Sequence, residues 1–350
     1  MEQNFSELAD FGWTSFFSSQ LNKDEQKSLI PVKVAEVHRA KIRVLAPSLD
    51  RYVAPFYVRK GNDEARAIVG DWLLLDQVHF QPQRLLTRKS LLKRLAPGKG
   101  RKAQLIAANI DTLFIVASCN QNFNIARIER YLTLAQDAGV HPVIVLTKPD
   151  LADKPQDYID QAKELLANLD VVSVNAKSST SVELLLPWCN KGQTVAFLGS
   201  SGVGKSTLIN TLTGGTEIAT QSVREIDAKG RHTTTSRELH LLSTGGLLMD
   251  TPGMRELQLT DVQTGVEEVF ADITELALTC RFRDCQHKSE PGCAITGAIK
   301  SGDLDKTRLQ RWEKLAEEDQ QNTASLAKRH AREKPSTKLS KRGKQDRSEE

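Results

Sequence analysis

The chain is predicted to be a multidomain α/β protein, and three observations carry that prediction. Its 350 residues exceed one ordinary domain. Residues 112–212 alternate strand-type apolar runs with helix-spaced ones, the pattern of a parallel sheet covered on both faces. On either side the texture changes, to short β-type runs over 32–80 and to a cluster of cysteines after residue 279. A composition of 39% hydrophobic and 26% charged residues excludes a collagen-like, wholly disordered or disulfide-scaffold chain. No apolar run approaches the roughly 18 residues that span a bilayer. The start, Met1-Glu2-Gln3, carries an acid where a signal peptide needs bases. A soluble, cytoplasmic protein without membrane contact is therefore expected.

Residues 1–30 are polar with scattered aromatics and no sustained period, and are expected to form a flexible N-terminal arm. Residues 31–83 contain β-type runs at 32–34, 42–44, 52–58 and 72–75. Turn clusters separate them (Pro47-Ser48, Gly61-Asn62-Asp63, Gly70-Asp71), which predicts a small OB-like β-barrel. The pattern alone does not separate an OB-like from an SH3-like barrel. Residues 84–102 hold eight bases and no acid and end in Pro97-Gly98-Lys99-Gly100, as a basic linker or exposed loop would.

From 103 to 262 the alternation predicts strands at 112–117, 142–147, 171–174 and 194–198, with helices at 125–138, 157–169 and 206–212. Residues 263–327 are expected to form a zinc-binding helical module, with a helix over 266–279 that carries Val266, Val269, Phe270, Ile273 and Leu276 and a charged helix from about Leu304. The tail 328–350 holds nine bases against four acids and is expected to be disordered. The net charge of +4 thus conceals two dense basic segments in an otherwise acidic chain, a distribution that favours a polyanionic partner.

One segment states its chemistry. Gly199-Ser200-Ser201-Gly202-Val203-Gly204-Lys205-Ser206, followed by Thr207, fits G-x-x-x-x-G-K-[ST], with a predicted strand before it and a helix after it. Such a loop wraps backbone N–H groups around phosphate oxygens at a helix N-terminus. Lys205 can reach the β- and γ-phosphates, and the Ser206 hydroxyl can ligate Mg²⁺. Asp250-Thr-Pro-Gly253 follows an apolar run. There Asp250 can hold Mg²⁺ through water, and the Gly253 N–H can meet the γ-phosphate.

Thr147-Lys148-Pro149-Asp150 is close to the guanine reader N-K-x-D. Asp150 would accept from guanine N1–H and the exocyclic amine, and adenine would leave that carboxylate unpaired, at a cost of about 1–3 kcal/mol. Asn175-Ala176-Lys177 is close to the S-A-K loop that supports the base. Together these predict GTP and GDP as ligands. The order is permuted: base readers first, then the phosphate loop, then D-x-x-G. A circular permutation of this kind is feasible because domain termini often lie close together.

Cys280-x4-Cys285-x-His287-x5-Cys293 places three thiols and an imidazole within a short span. In a cytosolic chain such clustering argues for metal rather than disulfides. Three cysteines and one histidine make a closed set for one structural Zn²⁺. Cys119 and Cys189 lie far off and are expected to be core thiols.

On these motifs the sequence resembles the circularly permuted small-subunit ribosome-biogenesis GTPases, the RsgA or YjeQ family, over nearly its whole length. The resemblance implies a barrel, a permuted P-loop GTPase domain, a zinc-binding helical module and a basic tail in one chain. It departs from the family in Thr147, where the reader usually has Asn, and in Asn175, where Ser is usual. The segment Gly230-Arg-His-Thr-Thr-Thr235 is similar to the family's switch I. There His232 is implied to act on the attacking water, since Met254 stands where many GTPases have a glutamine. Thr234 is the choice for the hydroxyl that senses Mg²⁺ and the γ-phosphate, with Thr233 and Thr235 beside it. The implied activity is subunit-stimulated hydrolysis of GTP on the small (30S) ribosomal subunit and its rRNA, by a monomer. Two other readings stay open: a GTP-dependent RNA-binding module in which hydrolysis is incidental, and a non-ribosomal regulatory GTPase.

Overall fold

The computed structural model describes residues 5–56, 66–95, 103–214, 238–250, 259 and 261–333, with backbone alone for residues 5, 95, 103, 250 and 325–333. The chain divides into two compact units. One comprises residues 1–93 and 105–256, the other residues 94–104 and 257–350.

The first unit begins with three short helices, α1 (Phe5–Leu8), α2 (Ser15–Ser18) and α3 (Lys23–Ser28). An Asn22 capping box with Glu25 starts α3. These residues are not the flexible arm expected from the sequence. Leu8, Trp13, Phe17 and Leu21 are buried in one core with Val32, Val34 and Trp72. Trp13 meets Trp72 edge-on, their ring centroids 4.8 Å apart. Helices this short cannot display a period, so the anchoring aromatics were legible only as isolated residues.

Five strands follow: β1 (Leu29–Val37), β2 (Ile42–Ala46), β3 (Leu49–Val53), β4 (Trp72–Asp76) and β5 (Pro82–Leu85). The first half of β1 pairs with β4, the second half with β2, and the register shifts between Val34 and Glu36. A bulge of that kind bends a strand and lets it serve two neighbours. Among the described residues no ladder joins β3 to β5, so barrel closure is not seen.

Residues 84–95 of the stretch expected to be a basic linker are folded instead. They supply part of β5 and all of β6 (Leu91–Leu95), which forms a two-stranded sheet with β7 (Ala103–Ala108). Their cations are partly consumed inside the unit. Arg84 pairs with Glu25 at 2.6 Å, Arg88 with the fully buried Asp71 at 2.8 Å, and Lys89 with Asp111 at 3.1 Å.

The parallel sheet is built from β8 (Thr112–Ser118), β9 (His141–Thr147), β10 (Asp170–Val174), β11 (Thr194–Gly199) and, beyond the antiparallel β12 (Glu238–Leu241), β13 (Leu247–Asp250). The order is β10-β9-β8-β11-β13-β12, and β12 joins β1 at Glu36↔Glu238. Arg43 lies opposite Glu36 and donates to Glu238 at 3.2 Å, which offsets the repulsion of those two acids. Helices α4 (Ile125–Asp137), α5 (Pro155–Lys163), α6 (Ser179–Val182) and α7 (Lys205–Leu212) complete this part. α5 ends earlier than the predicted 157–169.

Lys33 on β1 is fully buried, and it donates to Phe11 O and to Thr194 Oγ1, both at 2.9 Å. It therefore ties the N-terminal helices and β1 to the first residue of β11. Burial lowers its pKa to about 8, with Asp111 opposing and Lys89 adding to the fall. The unfolded chain keeps that proton up to the ordinary lysine range, so the unfolded state binds more protons between about 8 and 10.5. Native stability contributed by Lys33 must then rise with pH across that window, by about 3 kcal/mol in all. The check is thermal unfolding of the wild type against Lys33→Met from pH 7 to 10.5. A difference that stays flat with pH would count against this account.

In the second unit, the helix expected over 266–279 is two helices, α8 (Gln263–Val269) and α9 (Ala271–Leu278). Phe270 breaks them with non-helical backbone and buries its ring under the Arg308 guanidinium, 4.9 Å away. Helix α10 (Ala294–Ser301) and the 28-residue α11 (Lys306–Glu333) follow. One face of α11 clasps the chain entering this unit. Asp319 accepts from Val262 N at 3.1 Å, Thr323 accepts from Asp261 N at 3.0 Å, and Asn322 donates to Leu259 O at 2.7 Å. Among the described residues no helix is long and apolar enough to cross a membrane.

Candidate nucleotide and metal sites

All the described loops predicted to hold nucleotide leave the same edge of the sheet, at the C-terminal ends of parallel strands, where open α/β sheets take their ligands. The phosphate loop leaves β11, residues 147–150 leave β9 and residues 175–177 leave β10. The registers set them side by side: Gly199 opposes Val116, Ser118 opposes Thr147, and Thr147 opposes Val174.

The phosphate loop needs its glycines for space as well as for conformation. A Cβ on Gly199 would sit 2.3 Å from Val116 O, and Gly204, the residue before α7, has φ +98°. Val203 is buried and anchors the loop from below, while Ser201 and Gly202 are exposed. Lys205 Nζ folds back on the loop and donates to Gly199 O at 2.6 Å and to Ser200 O. Ser206 is half-buried and Thr207 exposed at the start of α7.

The base-reading segment grips that same loop. Thr147 is fully buried and its hydroxyl donates to Val203 O at 2.5 Å, with Ala117 O at 3.2 Å. Lys148, in the left-handed region at φ +57°, donates from Nζ to Gly202 O at 2.7 Å. Pro149 opens a short 3₁₀ turn that leaves Asp150 exposed. In the third loop Asn175 Oδ1 accepts from Lys177 N at 3.0 Å, and Ala176 O accepts from Thr211 Oγ1 on α7 at 2.8 Å. Lys177 is exposed. Asp250 ends β13, next to β11 through the pair Met249↔Ala196. His232, Thr234 and Gly253 lie outside the described residues.

One residue was missed in the sequence. Arg127, in the first turn of α4, donates from Nη1 to Ser200 Oγ at 2.5 Å across 73 residues of chain. It belongs to no motif, and only the adjacency of β8 and β11 brings it to the loop. Cys119 and Cys189 are buried, and burial pushes their thiols up to about 11 and about 12, as core thiols would be.

The cysteine cluster is assembled in the second unit. The ligand atoms of Cys280, Cys285, His287 and Cys293 all lie within 4.8 Å of one another. Cys280 Sγ stands 4.0 Å from Cys293 Sγ and 3.6 Å from His287 Nδ1, and Cys293 Sγ stands 3.7 Å from that nitrogen. A tetrahedron with bonds of about 2.3 Å to sulfur has edges of about 3.8 Å, so these separations fit a four-coordinate ion. Cys293 caps α10, accepting from Thr296 N at 3.4 Å. Burial opposes ionisation of its thiol, but hydrogen bonds from Thr296 and His287 prevail and bring it down to about 6. Around His287, which has φ +61°, the Glu290 carboxylate accepts from the N–H groups of Gln286, Lys288 and Ser289 at 2.8, 2.9 and 3.0 Å. Those bonds hold the Glu290 carboxyl down at about 2.

A glycine-lysine phosphate loop between a central parallel strand and a helix, flanked by base-type loops that precede it in the chain, defines a circularly permuted P-loop GTPase core in a chain that also carries a Cys/His metal cluster. Known proteins agree. The family model described as RsgA GTPase matches residues 85–260. One described as ABC transporter also matches residues 188–347, a span that includes the phosphate loop common to P-loop proteins. "Small ribosomal subunit biogenesis GTPase RsgA" of Mesorhizobium japonicum is 51% identical over 321 residues, covering 90% of this chain and 91% of its own. "Small ribosomal subunit biogenesis GTPase RsgA 2" of Vibrio vulnificus is 46% identical over 332 residues, covering 95% and 93%.

Among solved structures, "YloQ, a circularly permuted GTPase" is similar with TM-score 0.58 and 26% identity, over 83% of this chain and 94% of that one. YjeQ from Thermotoga maritima shares the fold, with TM-score 0.59 and 24% identity over 82% and 97%. The chain belongs to the RsgA GTPase family.

Proposed function

We propose that this chain hydrolyses GTP to GDP and phosphate in the biogenesis of the small ribosomal subunit, the role its curated relatives are named for. The observation that carries the reading is the meeting of Thr147, Lys148 and Lys205 on one phosphate loop. Asp150, in the same segment as Thr147 and Lys148, is exposed. Thr147 keeps a grip on the phosphate loop through Val203 O, so base choice rests on Asp150 and on the loop 175–177 that α7 braces.

Mg²⁺ would be held by Ser206 and Asp250, with Thr234 joining from switch I, and it would neutralise charge on the phosphates. His232 would act on the attacking water. The cluster donor set of three thiols and one imidazole, all closed in, suits a structural Zn²⁺. The domain reading is an OB-like barrel over 31–83, then a GTPase domain to 262, a zinc module over 263–327 and a basic tail over 328–350. The strands β1–β5 across the first of these support it. With Arg84 and Arg88 engaged by Glu25 and Asp71, rRNA phosphates would be met chiefly by the remaining bases of 84–102 and by the tail. In the sequence the D-x-x-G segment stands only a few residues before the backbone that α11 clasps.

The test is GTP turnover by the full chain with small subunits, with large subunits and with neither. Turnover raised by small subunits alone is expected. Equal rates in all three conditions would sink the ribosomal reading, and no turnover in any would sink the enzymatic one.

A further inference from the structure

Arg127 differs from four arginines that the fold holds by ion pairs. Arg43, Arg84, Arg88 and Arg308 each pair with a carboxylate, at 2.6–2.8 Å for their shortest contacts. Arg127 is exposed, and among the described residues its guanidinium has one hydrogen-bond acceptor, the Ser200 hydroxyl at 2.5 Å, and no carboxylate. That hydroxyl belongs to the loop residue whose carbonyl accepts from Lys205 Nζ. Tyr131, one turn further along α4, is buried. An exposed arginine is solvated and needs no carboxylate, so what bears on function is where the fold holds it. One held at a phosphate loop with most of its fork unused is placed to meet an anion that arrives there.

We propose that Arg127 is a catalytic residue supplied by the chain itself, donating to the oxygens of the terminal phosphate of GTP as that phosphate is transferred to water. This rests on the GTPase reading above. In the reaction the water oxygen bonds to the γ-phosphorus while the bond from that phosphorus to the β–γ bridging oxygen breaks. The bridging oxygen leaves on GDP with the electron pair, and the water proton ends on the released phosphate. Negative charge builds on the bridging and γ-oxygens, and a guanidinium beside them stabilises the transition state more than the ground state. The need is real in this chain, because Met254 follows D-x-x-G where a glutamine would orient water.

The experiment compares the full-length wild type with Arg127→Ala and Arg127→Lys. It measures single-turnover GTP hydrolysis with small subunits, affinity for GDP, and affinity for GDP plus aluminium fluoride. Arg127→Ala is expected to slow hydrolysis about 10²–10³-fold and to lose the aluminium fluoride complex, with GDP affinity within about twofold of wild type. Arg127→Lys should recover part of the rate, since it keeps the charge but not the fork. Unchanged turnover in Arg127→Ala overturns the proposal. So does a loss of GDP affinity as large as the loss of rate, which would mean Arg127 only holds the loop. Failure of the wild type to hydrolyse GTP refutes the GTPase reading and this role together, and is read from the wild-type control alone.

Discussion

Replacing Lys205 with alanine is expected to lower GTP turnover by roughly 10²–10³-fold, the cost of removing one well-aimed donor from a site of developing phosphate charge. The structure explains why the neighbouring lysine cannot substitute. Lys205 Nζ is held on Gly199 O and Ser200 O, inside the curl of the loop. The neighbouring ammonium, Lys148, is committed to Gly202 O from the base side. Phosphate oxygens entering the loop would take over the carbonyl contacts of Lys205 without moving the helix behind it. Because those contacts are local to the loop, Lys205→Ala should leave the thermal transition near that of the wild type. Turnover within a few-fold of wild type would show that another cation cradles the phosphates, and would overturn the assignment.

Removal of metal is expected to unfold the second unit while sparing the first. The second unit has a small apolar core, drawn chiefly from Val262, Val266, Val269, Phe270, Ile273, Ile295, Leu304, Leu309 and Leu315. A module of that size ordinarily needs a cross-link or a metal to fold. The four ligand residues close the loop between α9 and α10, and structural Zn²⁺ in comparable small sites supplies on the order of 10 kcal/mol. Chelation, or Cys285→Ser, should therefore abolish a cooperative transition and much of the helical signal from α8 to α11. GTP affinity, which depends on loops of the first unit, should persist. The measurement is circular dichroism and nucleotide binding on the same chelated sample, with zinc counted before and after. Full helical signal without metal would remove the structural role.

The site was more legible than the fold around it. A phosphate loop is written in consecutive residues because one turn and one helix start make it, so 199–206 could be read with its strand and helix. The cysteine cluster likewise spans only 280–293, and its ligand atoms converge as the spacing implied. Thr147 stands where the guanine reader usually has Asn, and it is buried with its hydroxyl tied to Val203 O of the phosphate loop. Residues 5–28 were misread because helices of four to six residues carry no period, and what holds them is Trp13 and Phe17 against Trp72. The basic run 84–102 was misread because charge counts do not reveal partners. Asp71 lies 17 residues before Arg88, and Glu25 lies 59 before Arg84.

By itself, then, the sequence determined the class of chemistry: a phosphate loop, base-type loops in permuted order, a thiol–imidazole metal set, and the α/β alternation that carries them. Each of these depends on residues near one another in the chain, where backbone geometry and side-chain chemistry are read directly. The tertiary structure alone decided which cations are spent on internal carboxylates and which are not. It joined β12 to β1 and drove Lys33 into the seam, and it brought Arg127 to Ser200. Those outcomes depend on strand order and on desolvation at contacts between distant segments, and no local pattern records either.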